Sequence, residues 1–351
     1  MKFNEIKYQD AATKTYLGSP SIIRLDNGDL LATHDYFGRG CPKNHENEEH
    51  LTSVYRSSDD GKTWTNVTHI ANAFWSNLFK HKGAIYLFGT SQQYGAIVIR
   101  RSEDNGNTWT HPKDEKNGLL FRGGPSRKPP NYHCAPVPMV SIRFALNPSL
   151  KKNGRIYRAF EDCTPCNWGT GFQSLVISAD EDAELLDASS WTMSNKLPYE
   201  PTWTPKEWGK LERPGWLEGN VVETPNGEIW NVLRFNSTPL IDKAAIVKVS
   251  DDGKQISFDP TTGFIQLPGG MTKFTIRKDS VTKLYFTLSN NNTDPNFPSQ
   301  RNILSLHISD DLIHWHHRKT LLEDDLDLPY EESIRQTGFQ YVDWQFDGED
   351  I

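Results

Sequence analysis

Ser57-Ser58-Asp59-Asp60-Gly61-Lys62-Thr63-Trp64 returns, little changed, as Ser102-Glu103-Asp104-Asn105-Gly106-Asn107-Thr108-Trp109. The layout describes a tight turn. Asp59 and Asp104 are placed to accept hydrogen bonds from backbone N–H groups just ahead, and Gly61 and Gly106 can take positive φ without a Cβ clash. The Trp that closes each copy is an apolar plug. Fainter copies follow at Ser178-Ala179-Asp180 with Trp191, at Ser250-Asp251-Asp252-Gly253 with Phe258, and at Ser309-Asp310-Asp311 with Trp315. Recurrence of this kind makes the chain a repeat protein.

A second periodic signal precedes the turns: an apolar strand, a Gly-containing turn and another apolar strand, which reads as a hairpin. It occurs at 22–33 around Asn27-Gly28, 78–89 around Lys82-Gly83, 137–160 around Asn153-Gly154, 221–233 around Asn226-Gly227 and 274–288 around 279–283. A sixth hairpin is expected to open at Tyr341 and turn at Asp347-Gly348. Six hairpins, each extended by a strand pair, predict an all-β fold, a six-bladed β-propeller, as one domain over residues 1–351. Either residues 1–16 supply strands to the last blade, or that blade is partial. Helical periodicity is absent apart from a turn or two within 181–190.

Composition narrows the function. With 351 residues, 36% of them hydrophobic, the chain can bury a large core. A net charge of -7 argues against a nucleic-acid surface, the one short basic run, 122–128, being broken by Gly and Pro. No apolar run reaches membrane-spanning length, and the N-terminus lacks the apolar core of a signal peptide. The chain as written is therefore expected in the cytoplasm, or secreted or periplasmic if a leader has been removed. Cys163-Thr164-Pro165-Cys166 has metal-ligand spacing but no matching second pair, and His45 and His50 read as loop histidines, so no metal or cofactor is expected. Sequons at Asn66, Asn236 and Asn291 matter only in a secreted protein.

The turns at Ser57 and Ser102 resemble the Asp-box, or BNR, repeat, so the chain is similar over essentially its whole length to the sialidase-like six-bladed propellers. In that family the Asp-boxes are structural and lie away from the active site. By strand alternation the opposite face collects Ser19, His34, Asp35, Trp75, His133, Glu161, Asp162, Trp216, Glu218, Asn220, Arg234, Lys273, Arg277, Arg301, Gln340 and Tyr341. The segment from Glu218-Gly219-Asn220 to Leu233-Arg234 resembles the sialidase segment in which a Glu opens an inner strand and an Arg ends the next. That resemblance implies that Glu218 activates a tyrosine nucleophile, Tyr341, and that Arg234 and Arg301 bind a substrate carboxylate. The family's first-blade Arg-Ile-Pro element is replaced by Ser19-Pro20-Ser21-Ile22, which weakens sialic acid as the substrate. Arg277 or Lys273 can supply compensating charge.

Asp35, at the end of a second strand and under the loop 36–50, is the candidate general acid or base. His34 and His133 titrate near neutral pH and are alternatives for the same work. Asp35 or Glu161 with Glu218 forms a tyrosine-free carboxylate pair. Glu218 is expected to line an open funnel. Trp75, Trp216, Trp203, Trp208, Trp168 and Tyr94 are expected to offer faces to sugar rings, with Asn220 and Gln340 as further binding residues. Trp64, Trp109, Trp191 and Trp315 belong to the turns and the core. The expected function is a sialidase-like glycoside hydrolase, exo-acting on an acidic or decorated carbohydrate. The alternatives are a polysaccharide lyase using His133, Tyr341 and Arg234, and a carbohydrate-binding propeller without turnover.

Overall fold

A computed structural model describes residues 3–124, 128–142 and 154–351. The chain divides into two compact units, one of Val137–Asp182 and Thr192–Val342, the other of Lys2–Pro136, Ala183–Trp191 and Asp343–Ile351. Among the described residues the structure is all-β, in five antiparallel sheets that each have at least four strands.

The first sheet runs β1 (Tyr16–Arg24), β2 (Leu30–Phe37), β3 (Leu51–Ser57) and β4 (Thr65–Ala71). The second runs β5 (Phe74–His81), β6 (Ala84–Thr90), β7 (Ile97–Ser102) and β8 (Leu119–Phe121), and a two-residue strand, β9 (Tyr132–His133), follows it. The third contains β10 (Val140–Ile142), β11 (Arg155–Cys163), β12 (Phe172–Asp180) and β13 (Trp191–Met193), with β14 (Leu197–Pro198) also on β12. The fourth contains β15 (Gly215–Glu223), β16 (Ile229–Asn236), β17 (Lys243–Val249) and β18 (Ile256–Ser257), with β19 (Phe264–Gln266) also on β17. The fifth runs β20 (Thr275–Lys278), β21 (Tyr285–Asn290), β22 (Ile303–Ser309) and β23 (His316–Glu323), and is followed by helix α1 (Tyr330–Gln336). The turn residue Asn153, expected at the tip of the third hairpin, lies outside the described residues.

Local chemistry explains the turns. Ser57 Oγ accepts the Gly61 N–H at 2.9 Å and donates to Asp59, Asp59 Oδ1 accepts the Thr63 N–H at 2.9 Å, and Trp64 Nε1 donates to the Gly61 carbonyl at 3.1 Å. Ser102, Asp104, Gly106, Thr108 and Trp109 repeat each of these bonds. At Ser309 the turn is one residue tighter, and Leu312, buried and at φ +69°, supplies the carbonyl that accepts Trp315 Nε1. Trp109 and Trp315 pack against the cores of their own units.

A second repeated device sits at the start of the sheets. β1, β5 and β15 each carry a register shift, at Gly18/Ser21, Phe74/Asn77 and Leu217/Asn220. In each shift one non-glycine residue takes positive φ: Ser19 at +52°, Trp75 at +50° and Glu218 at +57°. A bulge of this kind bends the strand and re-aims the side chain it carries. The residue two places on then holds the next sheet: Ser21 Oγ accepts the Leu78 N–H at 2.9 Å, and Asn220 Oδ1 accepts the Ile276 N–H at 3.1 Å.

Six blades are expected from the hairpin count, and five sheets form. The sixth hairpin is replaced by a segment whose side chains, in place of a strand's backbone, serve the edge of β1. Asp343 Oδ2 accepts the Ile22 N–H at 3.0 Å, Gln345 Oε1 accepts the Arg24 N–H at 3.2 Å, and Asp347 pairs with Arg24 at 2.7 Å. Alternating acceptors of this kind occupy edge donors and blunt the edge without a ladder. Within 343–351 only an isolated Asp347–Asp350 bridge remains.

Candidate active site

In the unit that holds the fourth and fifth sheets, the site begins with the bulge of β15. Two N–H groups are turned toward one carboxylate there: Glu161 Oε1 accepts the Glu218 N–H at 2.6 Å and the Gly219 N–H at 3.4 Å. Gly219 has no alternative, because a Cβ at that position would lie 2.1 Å from Asn231 Oδ1. Opposite Leu217, and so beside the bulge, β16 presents Arg234.

The bulge aims the Glu218 carboxylate at two partners. Arg234 Nη1 donates to Oε2 at 2.8 Å, and the Tyr341 hydroxyl donates to Oε1 at 2.6 Å. Arg234 Nε donates to the Met271 carbonyl at 2.9 Å, which fixes the plane of the guanidinium. The Glu218 and Arg234 side chains are 1% and 6% exposed, so Glu218 does not line an open funnel as expected; it lies beneath Tyr341, which is half-buried. Tyr341 itself takes φ +57°, the backbone seen at the other bulges. Arg301 donates to the Gln340 side-chain carbonyl, next to Tyr341 in the chain.

Electrostatics follow from this packing. Burial, with the Glu218 carboxylate alongside, raises the Tyr341 phenol above its usual range, while Arg234 and Arg301 pull the other way. Burial and repulsion from Arg234 lower the Arg301 guanidinium. Arg234 pairs with Glu218, and Arg301 lies within electrostatic reach of the same carboxylate. Beside it a cleft of about 490 Å³ is lined by Arg301, Gln340, Thr337 and Arg335, among others.

The remaining expected residues of this unit have other partners as well. Asn220 is buried and ties β15 to the next sheet, also donating to the Phe274 carbonyl at 3.2 Å. Trp216 is fully buried in an apolar core with Phe235 and Tyr199, donating to the Leu197 carbonyl, so it has no face to offer a sugar. Trp203 stacks against it in the same core and Trp208 packs on Phe264. Glu161 holds the bulge, and Asp162 pairs with Lys196 at 2.6 Å. Lys273 donates to the Val342 carbonyl at 3.0 Å, and Arg277 lies on β20 opposite Phe286.

In the other unit, Asp35 lies within β2, opposite Gly18 and Thr52, and not under a loop as expected. It is fully buried, and its Oδ2 accepts the N–H of the bulge residue Trp75 at 2.7 Å. Thr52 Oγ1 touches both Asp35 Oδ1 and the Ala73 carbonyl, yet a hydroxyl has one hydrogen. The consistent chain is Asp35 O–H to Thr52 O–H to Ala73 C=O, with Asp35 protonated. Burial pushes its carboxyl up to about 8, in agreement. Asp35 is therefore built into the sheet, where a general acid needs access to substrate.

His34 stacks on Tyr55 and meets Tyr36 edge-on, and burial lowers its imidazole to about 4, so it is neutral at pH 7. Trp75 is buried, donates to the Gln93 carbonyl at 3.0 Å, and packs edge-on against Phe37 and His133. Against expectation it is an interior plug. His133 is buried between Trp75 and Tyr94. Cys163 and Cys166 form no disulfide, and among the described residues no group of three or more His, Cys, Asp or Glu is placed to hold a metal. No helix among the described residues is long and apolar enough to cross a membrane.

One feature escaped sequence reasoning, and one residue expected to face solvent, Trp168, does so. The carboxyls of Asp35 and Glu161 both cap the bulge of the next sheet, which the acidic residue at the end of each second strand signals only once the bulge is known. Trp168 is 44% exposed, and the Arg234 guanidinium lies over its ring, 5.5 Å from the centroid.

No protein-family model matches the chain, and no curated protein matches its sequence. Solved structures do match. An α-L-arabinanase of Penicillium chrysogenum, complexed with arabinobiose, is 17% identical over 90% of this chain and 83% of its own, with a TM-score of 0.51. The Hadza microbial sialidase Hz136 is 13% identical over 89% of this chain and 59% of its own, with a TM-score of 0.54. The α-L-arabinofuranosidase Arb93A of Fusarium graminearum, in complex with an iminosugar inhibitor, is 14% identical over 90% of this chain and 83% of its own, with a TM-score of 0.51. At these identities the likeness is one of fold, which is a β-propeller.

Proposed function

We propose that the chain is a retaining glycoside hydrolase that removes a terminal acidic or otherwise decorated sugar, with Tyr341 as nucleophile and Glu218 as its base. The observation that carries this reading is the 2.6 Å hydrogen bond from the Tyr341 hydroxyl to Glu218 Oε1. A phenol is a weak nucleophile until its proton has somewhere to go, and a fixed carboxylate at hydrogen-bond distance supplies that place. Arg234 holds the other oxygen, so the carboxylate cannot rotate away.

In the first step Tyr341 Oη bonds to the anomeric carbon, its proton passes to Glu218 Oε1, and the glycosidic oxygen leaves with the bond's electron pair and takes a proton from solvent. In the second, water adds to the anomeric carbon, the Tyr341 oxygen leaves and recovers the proton held by Glu218, and the water's own proton passes to solvent. Two inversions give net retention. Arg234 and Arg301 lower the cost of the phenolate character that develops in both steps.

The reaction class agrees with the printed names of the similar folds, an arabinanase, a sialidase and an arabinofuranosidase. Read as Asp-boxes, the turns at Ser57, Ser102 and Ser309 favour the sialidase-like group. Ser19 stands where that group's first arginine is expected, which favours a substrate other than sialic acid. The excess of guanidinium over carboxylate favours an anionic substituent in the cleft beside Arg301.

The test is a panel of aryl glycosides, uronides and neutral sugars included, because an acidic phenol leaves without a proton and isolates the Tyr341–Glu218 couple. Wild type releases aryl alcohol, and Tyr341→Phe and Glu218→Gln do not. Full activity in Tyr341→Phe overturns the assignment, and an unsaturated uronide absorbing in the near ultraviolet identifies a lyase instead.

A further inference from the structure

Trp168 is the exposed tryptophan of this unit, and its position relates to the catalytic cluster. One face of its ring covers the buried Arg234 guanidinium, a cation–π contact that holds the indole in place, and the side chain is still 44% exposed. The loop that carries it is pinned. Gly169, at φ +87°, lies so near the Arg213 carbonyl that a Cβ would come within 2.6 Å, and Asn236 Nδ2 holds the carbonyls of Glu212 and Arg213 at 3.0 and 2.8 Å.

Those same two loops open a second space. Thr170 and Pro214 form part of the lining of a cleft of about 660 Å³, whose other walls include Tyr199, Pro201, Pro205 and Leu211. Its lining carries a single charged side chain, Lys206, in contrast to the arginine-rich cleft at Arg301. Pyrrolidine rings, an aromatic edge and scattered hydroxyls suit the C–H faces and hydroxyl groups of a sugar and give no grip on a phosphate or a metal.

From this geometry we infer that Trp168 is a sugar-stacking platform, and that the cleft lined by Pro214 and by Thr170, two residues along the chain from it, binds the glycan units beyond the bond being cleaved. The inference rests on the hydrolase reading of Glu218 and Tyr341. It adds that the natural substrate is an oligosaccharide or polysaccharide of more than one unit, whose second and later sugars are held by apolar faces while the terminal sugar meets the charged cluster.

Binding is measured by calorimetry with Glu218→Gln protein, using a monosaccharide glycoside and a trisaccharide of the sugar found active in the aryl panel. Adding Trp168→Ala should weaken the trisaccharide about tenfold more than the monosaccharide, and Trp168→Phe should restore most of the difference. In the active protein the ratio of kcat/KM for trisaccharide over aryl monosaccharide should fall by a similar factor, chiefly through KM. Equal losses for both ligands would mean that Trp168 only shields Arg234, and would overturn the platform while leaving the catalytic couple standing. Wild type that neither binds nor cleaves any glycan overturns the hydrolase reading and this one with it.

Discussion

Tyr341 donates its phenolic proton to Glu218 Oε1 at 2.6 Å, across a sequence separation of 123 residues. The two residues share a backbone conformation, φ +57°, which is sterically costly for a side chain. Ser19 and Trp75 adopt it as well. The strain recurs at the starts of β1, β5 and β15, and the proposed base and nucleophile both stand at positions bent in this way.

Glu218→Gln should remove turnover and also lower stability. Gln keeps the shape but leaves Arg234 as a buried charge without its counter-ion, a loss of about 3–5 kcal/mol for pairs of this kind. Replacing Arg234 by Met in the same protein should recover part of that loss. Urea unfolding of the two single variants and the double variant measures the coupling, and independent, additive effects would mean that the pair is not stabilising in the way drawn here.

Tyr341→Phe should lose about 10³-fold or more in kcat on every substrate, since the covalent route is removed and not weakened. With wild type and a slow-turnover substrate, mass spectrometry of the peptide containing Tyr341 should show one added glycosyl group. A label found on any other residue redirects the assignment.

Asp35→Asn should flatten the pH dependence of stability. A carboxyl raised from 3.8 to about 8 keeps its proton in the folded state while the unfolded chain loses its own, so this group's contribution is full below about pH 4 and fades as pH rises to about 8. Asn can donate to Thr52 Oγ1 and accept from the Trp75 N–H, preserving the chain of bonds. Wild type should thus lose stability relative to the variant between pH 5 and pH 8 by thermal unfolding, values chosen inside that window. An opposite trend would show an ionised Asp35.

Gly106→Ala should cost more than Gly61→Ala, although the two turns share their hydrogen bonds. Both force an L side chain to positive φ, roughly 1–2 kcal/mol. At Gly106 the new Cβ would also come within 2.7 Å of the buried Leu31 Cδ2, against 3.4 Å to Leu30 Cδ1 at Gly61. Calorimetric unfolding of the two variants gives the comparison, and equal losses would indicate that Leu31 gives way freely.

Part of the Glu218 cluster was legible in the sequence because the relevant signals are local. Glu218 at the start of one inner strand and Arg234 near the end of the next are fixed by a hairpin whose turn, Asn226-Gly227, is plain in the chain, and β pairing then sets Arg234 opposite Leu217. Arg301 and Tyr341 came from the resemblance to sialidase-like propellers, and Tyr341, expected on an inner strand, lies in no strand of the structure. Trp75, Trp216 and Asp35 were misread for the converse reason. Alternation assigns a side chain to a face of its own sheet, whereas a bulge or a neighbouring sheet decides whether that face is open. Trp216 disappears among Tyr199 and Phe235, and Asp35 is consumed by the Trp75 N–H.

By itself the sequence determined the all-β repeat, its turns and the residues that open and close each inner strand, since these depend on φ preferences and on hydrogen bonds that span four residues or fewer. The tertiary structure decided that five sheets form where six hairpins were expected, that Glu218 lies beneath Tyr341 and between Tyr341 and Arg234, and that Trp168 keeps an exposed ring over Arg234. Those outcomes depend on which distant donor meets which acceptor, as when Asp343 takes the Ile22 N–H that a further strand would otherwise have bonded.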